Sequence, residues 1–267
     1  MILASASFLG MLLGVGAALA YAVPALGARA LGVPTARRML LLAWALHASL
    51  IAWSLLAAPS RFGFAPALSV TVWLVLTVYL IENHVYPQLG ARWIWAGFGS
   101  VAIVLAALFP GALLPRTSSP WLPLHWALGI AAYGMFAAAV AHAWLITRQE
   151  RQMRHGETSG GPPLLTLERL MFRFVWAGFV LLSLTLLAGL LFGEALYGSS
   201  QPKWRWDHKR VFTLLSWLVF AVLLAGRSRL GWRGRRAVHV LYIGAALLLL
   251  GYAGSRFVLE VLLGRAT

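Results

Sequence analysis

Two stretches of the sequence carry residue types that could do chemistry. The first is KWRWDHKRVF, residues 203–212, in which two tryptophans and the chain's only aspartate stand among four cations. Indole rings stack on flat apolar molecules and cations neutralise carboxylates, so the stretch fits a platform for a flat, apolar, anionic ligand. The alternative is a membrane-interface belt, in which Trp204 and Trp206 lie at headgroup depth and Asp207 caps a helix that begins at His208.

The second stretch is TSSPWLPLHWALGIAAYGMF, which contains His125. Ser119 can be the N-cap and Pro120 the first residue of a helix, which places His125 about 7 to 8 Å along the axis from the helix start. Gly129, on the same face, leaves side-chain bulk out of the space beside it. Haem is flat, apolar and anionic, and a chain without cysteine would ligate it through histidine. We predict that His125 is an axial ligand of non-covalent, b-type haem; a structural hydrogen-bonding histidine is the alternative.

Three further residues are candidates for haem binding. His47 lies near the middle of an apolar run and is either an interhelical hydrogen-bonding group or a ligand to a second or transient haem. His208, beside Asp207, could be a ligand, a propionate partner or a helix-start residue. Arg256 lies four residues before Glu260 and either pairs with it or meets a carboxylate of the bound molecule. Solvated or capping roles account for the remaining histidines, which are His84, His142, His155 and His239.

Composition places these residues in a membrane. Of the 267 residues, 61% are hydrophobic and 11% are charged, far below the roughly 25% of a soluble domain. A spanning helix needs about 20 mainly apolar residues, and the first such run lacks the basic start of a secretory signal, so we expect a retained helix. We predict an all-α, polytopic membrane protein with eight helices, at approximately 2–26, 39–59, 64–82, 93–114, 120–146, 169–193, 210–227 and 237–262.

The placement of cations predicts the orientation. Most of the 22 Lys and Arg residues lie on one side if the N-terminus is outside, so the positive-inside rule predicts both termini on the periplasmic side. Two basic segments, 147–169 and 226–236, are then solvated cytoplasmic loops rather than nucleic-acid sites. We predict two parts, a four-helix part over 1–119 and a four-helix part over 120–267 that carries the tryptophan-rich outer loop.

Three segments together resemble the cytochrome c assembly family, typified by CcsA and CcmC. WRWDHKRVFTLLSWLVFAVLL is similar to the family's tryptophan-rich WWD segment, PWLPLHWALGIAAYGMFAAAVAHAWLI to its helix with an external histidine, and GWRGRRAVHVLYIGAALLLLGYAGSRF to its final helix. The match covers about residues 120–260, and the whole chain looks closest to the YpjD-like subgroup, which is related to HemX. The resemblance implies haem binding at the outer face, with Trp204, Trp206 and Asp207 in the platform and His125 in one axial role.

This chain departs from the family pattern at the second external histidine, because no histidine follows His239. The family's histidine just past the helix after the WWD segment is also missing, and Ala225, Gly226 and Arg227 occupy that region. The haem is then five-coordinate, or His208 or His47 substitutes, or haem binding has been lost and the fold retained.

The resemblance also implies a role. We expect a haem chaperone or carrier of a bacterial inner membrane rather than an enzyme on its own. Its partners are membrane lipids and an apocytochrome c or another haem-accepting membrane or periplasmic protein, and no nucleic acid. The alternatives are an accessory or regulatory membrane protein without stable haem binding, and a haem transporter that uses His47.

Overall fold

The computed structural model describes residues 8–27, 31–56, 61–85, 92–113, 121–156, 162–191 and 208–251. The chain divides into two compact units, one formed by Met1–Pro115 with Leu259–Thr267 and the other by Arg116–Val258. The predicted boundary between residues 119 and 120 falls outside the described residues and stays a prediction.

All eight predicted helices have a counterpart among the described residues. The first unit contains α1 (Phe8–Leu26), α2 (Val33–Leu56), β1 (Arg61–Phe62), α3 (Phe64–Val85), α4 (Arg92–Leu108) and β2 (Ala112–Leu113), and the two short strands pair in antiparallel fashion. The second unit contains α5 (Trp121–Arg154), α6 (Leu164–Leu191), α7 (His208–Leu230) and α8 (Gly234–Leu249). The prediction of an all-α protein is confirmed.

Six of these helices are long and apolar enough to cross a membrane, namely α1, α2, α3, α5, α6 and α7. The described parts of α4 and α8 are shorter, with 17 and 16 residues. Large apolar side chains such as Phe8, Trp176 and Leu190 are more than 60% exposed, as expected of residues that face lipid. The chain is a polytopic membrane protein, and its orientation stays a prediction.

The two segments predicted as basic loops are mostly helical, so that part of the prediction was wrong. α5 continues to Arg154 because the residues after 146 are mainly good helix formers. It ends just before Gly156, whose φ of 72° suits a helix terminus. Likewise α7 reaches Leu230 and α8 begins at Gly234, which leaves a turn of three residues between them.

Glycines facing aromatic rings set the helix spacing in the second unit. A Cβ on Gly178 of α6 would lie 3.1 Å from the ring of Phe136 in α5, and one on Gly244 of α8 would lie 2.6 Å from Phe220 in α7. Phe136 and Phe220 stack with their ring centroids 3.8 Å apart. Small residues let helix backbones approach closely, so all four helices meet around this ring pair.

The first unit uses the same kind of contact between α1 and α4. A Cβ on Gly99 of α4 would lie 2.9 Å from the ring of Tyr21 in α1. Between α2 and α3, Trp44 and Trp73 stack with centroids 5.4 Å apart, and the Trp44 indole donates a hydrogen bond of 2.8 Å to Thr77. These contacts hold α1 against α4 and α2 against α3.

Candidate functional site

His125 lies close to the start of α5, as predicted. The helix begins at Trp121, one residue after the predicted start, so His125 lies about 6 Å along the axis. Its side chain is half-buried. The predicted N-cap Ser119 and the following Pro120 lie outside the described residues.

α6 places a glycine opposite the His125 imidazole. A Cβ on Gly189 would lie 3.5 Å from Cε1 of His125, so the ring faces helix backbone at this point rather than a side chain. One turn further along α5, a Cβ on Gly129 would lie 3.6 Å from the methyl group of Thr185. Gly129 was predicted to leave space for a ligand, but α6 approaches there. The glycine beside His125 is Gly189. The sequence did not predict this contact, because it depends on the antiparallel register of α5 and α6.

α7 brings a positive charge to the same end of the unit. Lys209 lies in its first turn, at the same end of the unit as His125 at the start of α5. The chain after α8 also returns here, because a Cβ on Gly251 would lie 3.4 Å from the Lys209 carbonyl oxygen. α7 begins at His208, two residues before the predicted start, and His208 is exposed. The fold thus brings His125, Gly189 and Lys209 together from three helices.

Four predicted site residues lie outside the described residues, namely Trp204, Trp206, Asp207 and Arg256. Their part in the site stays a prediction. Tyr133, two turns along α5 from His125, is engaged in helix packing, since its hydroxyl donates a hydrogen bond of 2.8 Å to the carbonyl oxygen of Leu248 in α8.

His47 lies in the first unit and is completely buried. The hydroxyl of Tyr21 in α1 lies 3.4 Å from its Nδ1, and Oγ of Ser69 in α3 lies 2.8 Å from its Nε2. Both ring nitrogens therefore take part in hydrogen bonds that join three helices. Of the two predicted roles, this geometry favours the interhelical one, because a ligand role would require at least one of these bonds to break. The polar residues Tyr21 and Ser69 in apolar runs were the sequence signal for this network.

Solvated or capping roles were predicted for the remaining histidines, and this prediction is wrong for His142, which is buried within α5 because that helix continues to Arg154. His142 donates a hydrogen bond of 2.8 Å from Nδ1 to the carbonyl oxygen of Ala138, and His239 donates one of 2.6 Å to Arg235. Both bonds run to the residue four positions earlier in the same helix. His155 is exposed after the end of α5, and the side chain of His84 is outside the described part.

The chain matches the family model described as cytochrome C assembly protein over residues 33–263. It is 29% identical over 198 residues to the inner membrane protein YpjD of Escherichia coli K12, a match that covers 73% of this chain and 72% of YpjD. It is 24% identical over 248 residues to the cytochrome c biogenesis protein CcsA of Gloeobacter violaceus, a match that covers 70% of this chain and 72% of that protein. An uncharacterized 28.8 kDa protein of Azospirillum brasilense is 33% identical over 149 residues, which covers 54% of each chain.

The family match begins at α2, includes every later helix and spans both units. The likeness to YpjD and the six apolar helices together identify a multi-pass inner-membrane protein, as predicted. Because the match covers most of its length, the chain belongs to the cytochrome c assembly protein family.

Proposed function

We propose that this protein takes part in cytochrome c assembly by holding haem non-covalently at the His125 end of its second unit and passing it to a partner. The observation that carries the proposal is the placement of His125 at the start of α5, Gly189 near the end of α6 and Lys209 at the start of α7, all at one end of the second unit. The tryptophan-rich stretch is joined directly to that helix start, since Asp207 precedes His208.

The residues at this end fit the chemistry of haem. An imidazole is a common axial ligand of haem iron, and His125 faces the backbone of Gly189 rather than a bulky side chain. Lys209 and Arg210, both in the first turn of α7, supply cations for the carboxylates of the ligand. Trp204 and Trp206 would offer flat apolar faces to the macrocycle.

The residues of this chain would bind and orient haem as cargo. His125 would hold the iron on one side, and the cations would set the edge of the macrocycle that carries the carboxylates. Either His208 would supply a second ligand from this chain, or the iron would be five-coordinate. Both ring nitrogens of His47 already take part in hydrogen bonds.

The proposed role is that of a chaperone or carrier rather than an enzyme on its own. The relative from Gloeobacter violaceus is named a cytochrome c biogenesis protein, and family membership supports a role in cytochrome c assembly. We propose an apocytochrome c, or another haem-accepting protein at the outer face, as the partner. Delivery at that face follows from the predicted orientation.

The visible absorption spectrum of the purified protein, oxidised and reduced, tests this function. We expect a Soret band in the wild type that is largely lost in His125→Ala and Trp206→Ala. Trp176→Ala is the matched control, because Trp176 is 62% exposed in the middle of α6. The reduced spectrum shows whether a second strong ligand is present.

Two outcomes contradict the proposal. Unchanged haem content in both His125→Ala and Trp206→Ala, with folded protein, would remove these residues from the site. A wild type that stays colourless after haem is supplied would instead favour an accessory membrane protein that keeps the fold without the ligand.

A further inference from the structure

The end of the second unit opposite His125 is strongly basic. α5 and α7 end there and α6 and α8 begin there, so the topology gathers the arginines of four helix ends. The described acidic residues at this end are Glu150 and Glu168. The described arginines are Arg148, Arg151, Arg154, Arg169, Arg173, Arg227, Arg229, Arg233, Arg235 and Arg236.

The turn between α7 and α8 has a defined structure within this basic end. Gly231 follows α7 with a φ of 64°, which reverses the chain. The amide of Trp232 then donates a hydrogen bond of 3.0 Å to the carbonyl oxygen of Gly226. The indole of Trp232 lies directly over Gly226, where a Cβ would collide with it. Arg227 donates a hydrogen bond of 3.2 Å to the carbonyl oxygen of Trp232.

The Glu168 carboxylate interacts with two arginines at this turn. Oε1 of Glu168 lies 3.0 Å from Nη1 of Arg227 and 3.8 Å from Nε of Arg233. The Arg227 side chain is 27% exposed and its guanidinium lies 4.6 Å from the centre of the Phe172 ring. The Arg233 side chain is 63% exposed. Glu168 therefore neutralises Arg227 first, and the charge of Arg233 remains largely available to a ligand.

Arg236 adds a second available cation beside Arg233. Its guanidinium lies 4.2 Å from the centre of the Trp232 ring, and the residue is exposed. A guanidinium stacked on an indole keeps the N–H groups at its edge directed outward. Stacking also limits its rotamers, so less conformational entropy is lost when it binds an anion.

We propose that the α7–α8 turn binds one anionic phospholipid. Arg233 and Arg236 hold the phosphate through their guanidinium groups. Trp232 lies at headgroup depth, where tryptophan is favoured in membranes. Leu230, 70% exposed at the end of α7, contacts the first part of an acyl chain. The charge and the position at the ends of membrane-spanning helices both favour a lipid, and this site does not depend on the proposed haem site.

Binding of phosphatidylglycerol to the full-length protein in detergent, followed by native mass spectrometry, tests this site. Arg233→Gln with Arg236→Gln should weaken binding about 30-fold, on the basis of about a fivefold effect for each cation near the lipid surface. Arg151→Gln with Arg154→Gln is the matched control. It removes the same charge from exposed positions at the end of α5 and should change binding less than threefold, because the attraction of a charge to a lipid headgroup falls off within a Debye length.

The result that overturns the site is an equal loss in both double variants, since only diffuse attraction would then act on the lipid. Displacement of the lipid by an equal concentration of inorganic phosphate would show a general phosphate site instead. Phosphatidylcholine should bind the wild-type protein no better than it binds the Arg233 and Arg236 double variant. If that double variant does not fold, the single variants Arg233→Gln and Arg236→Gln should each weaken binding about fivefold, and unchanged binding in both would overturn the proposal.

Discussion

His47 in the first unit and His125 in the second lie in different environments. His47 in the first unit is fully buried, and Tyr21 and Ser69 lie within hydrogen-bonding distance of its two ring nitrogens. His125 in the second unit is half-buried, faces the backbone of Gly189 and lies near Lys209.

The difference separates a histidine that joins helices from one that can meet a ligand. Each hydrogen bond that a ring nitrogen already makes must be broken before that nitrogen can bind iron. A half-buried ring at an end of the unit that also carries a cation can meet an anionic molecule. Ionisable residues at membrane depth are functional candidates by default, and the contacts of each side chain decide between them.

The largest expected effect comes from replacing the ligand side chain and then restoring its chemistry. His125→Gly should lose most of its haem, and added imidazole should restore the Soret band because the free base can occupy the vacated position. The absorption spectrum at increasing imidazole concentration measures this. His47→Gly is the control, and haem loss with imidazole rescue in that variant would reverse the comparison.

Filling the space beside His125 should have the next largest effect. Gly189→Leu should weaken haem binding about tenfold because its side chain extends over the imidazole. Gly189→Ala should bind nearly normally, since its Cβ would lie at an ordinary contact distance of 3.5 Å. Haem titration followed by absorbance gives the affinities.

Gly97→Leu is the matched control, because a Cβ at Gly97 of α4 meets nothing within 4 Å. Equal haem affinity in Gly189→Leu and the wild type would show that the ligand does not lie on this side of His125.

Breaking the His47 network should reduce stability rather than haem content. His47→Ala leaves the hydroxyls of Tyr21 and Ser69 buried without this partner, and we expect a loss of about 2 kcal/mol in the free energy of unfolding. Unfolding in mixed detergent measures the change. Ser49→Ala, which removes an exposed hydroxyl from the same helix, is the control. A stable His47→Ala protein that has lost haem would contradict the structural role.

The smallest expected effect concerns Tyr133, which lies two turns along α5 from His125. Tyr133→Phe removes the hydrogen bond to the carbonyl oxygen of Leu248 and should cost about 1 kcal/mol of stability. Haem content should stay unchanged, because the hydroxyl contributes to helix packing. Thermal unfolding and the absorption spectrum of the same sample give both values, and haem loss without destabilisation would extend the site to Tyr133.

Several elements followed directly from the sequence because they depend on local chemistry. Long apolar runs predict spanning helices, since a backbone in lipid must satisfy its own hydrogen bonds. The position of His125 near the start of α5 was also predicted correctly, and α7 begins two residues before its predicted start. The helical content of segment 147–169 was not predicted, because its cations indicate a loop beside the membrane although arginine and glutamine are good helix formers.

The amino-acid sequence was enough to predict that eight helices form and that His125 lies near the start of one, because both depend on neighbours within a few positions. The packing of helices against one another places Gly189 opposite His125, and Tyr21 and Ser69 beside His47. Those partners come from different helices, and their meeting depends on helix register. Packing of rings such as Phe136 against Gly178 sets that register, and no local pattern encodes it.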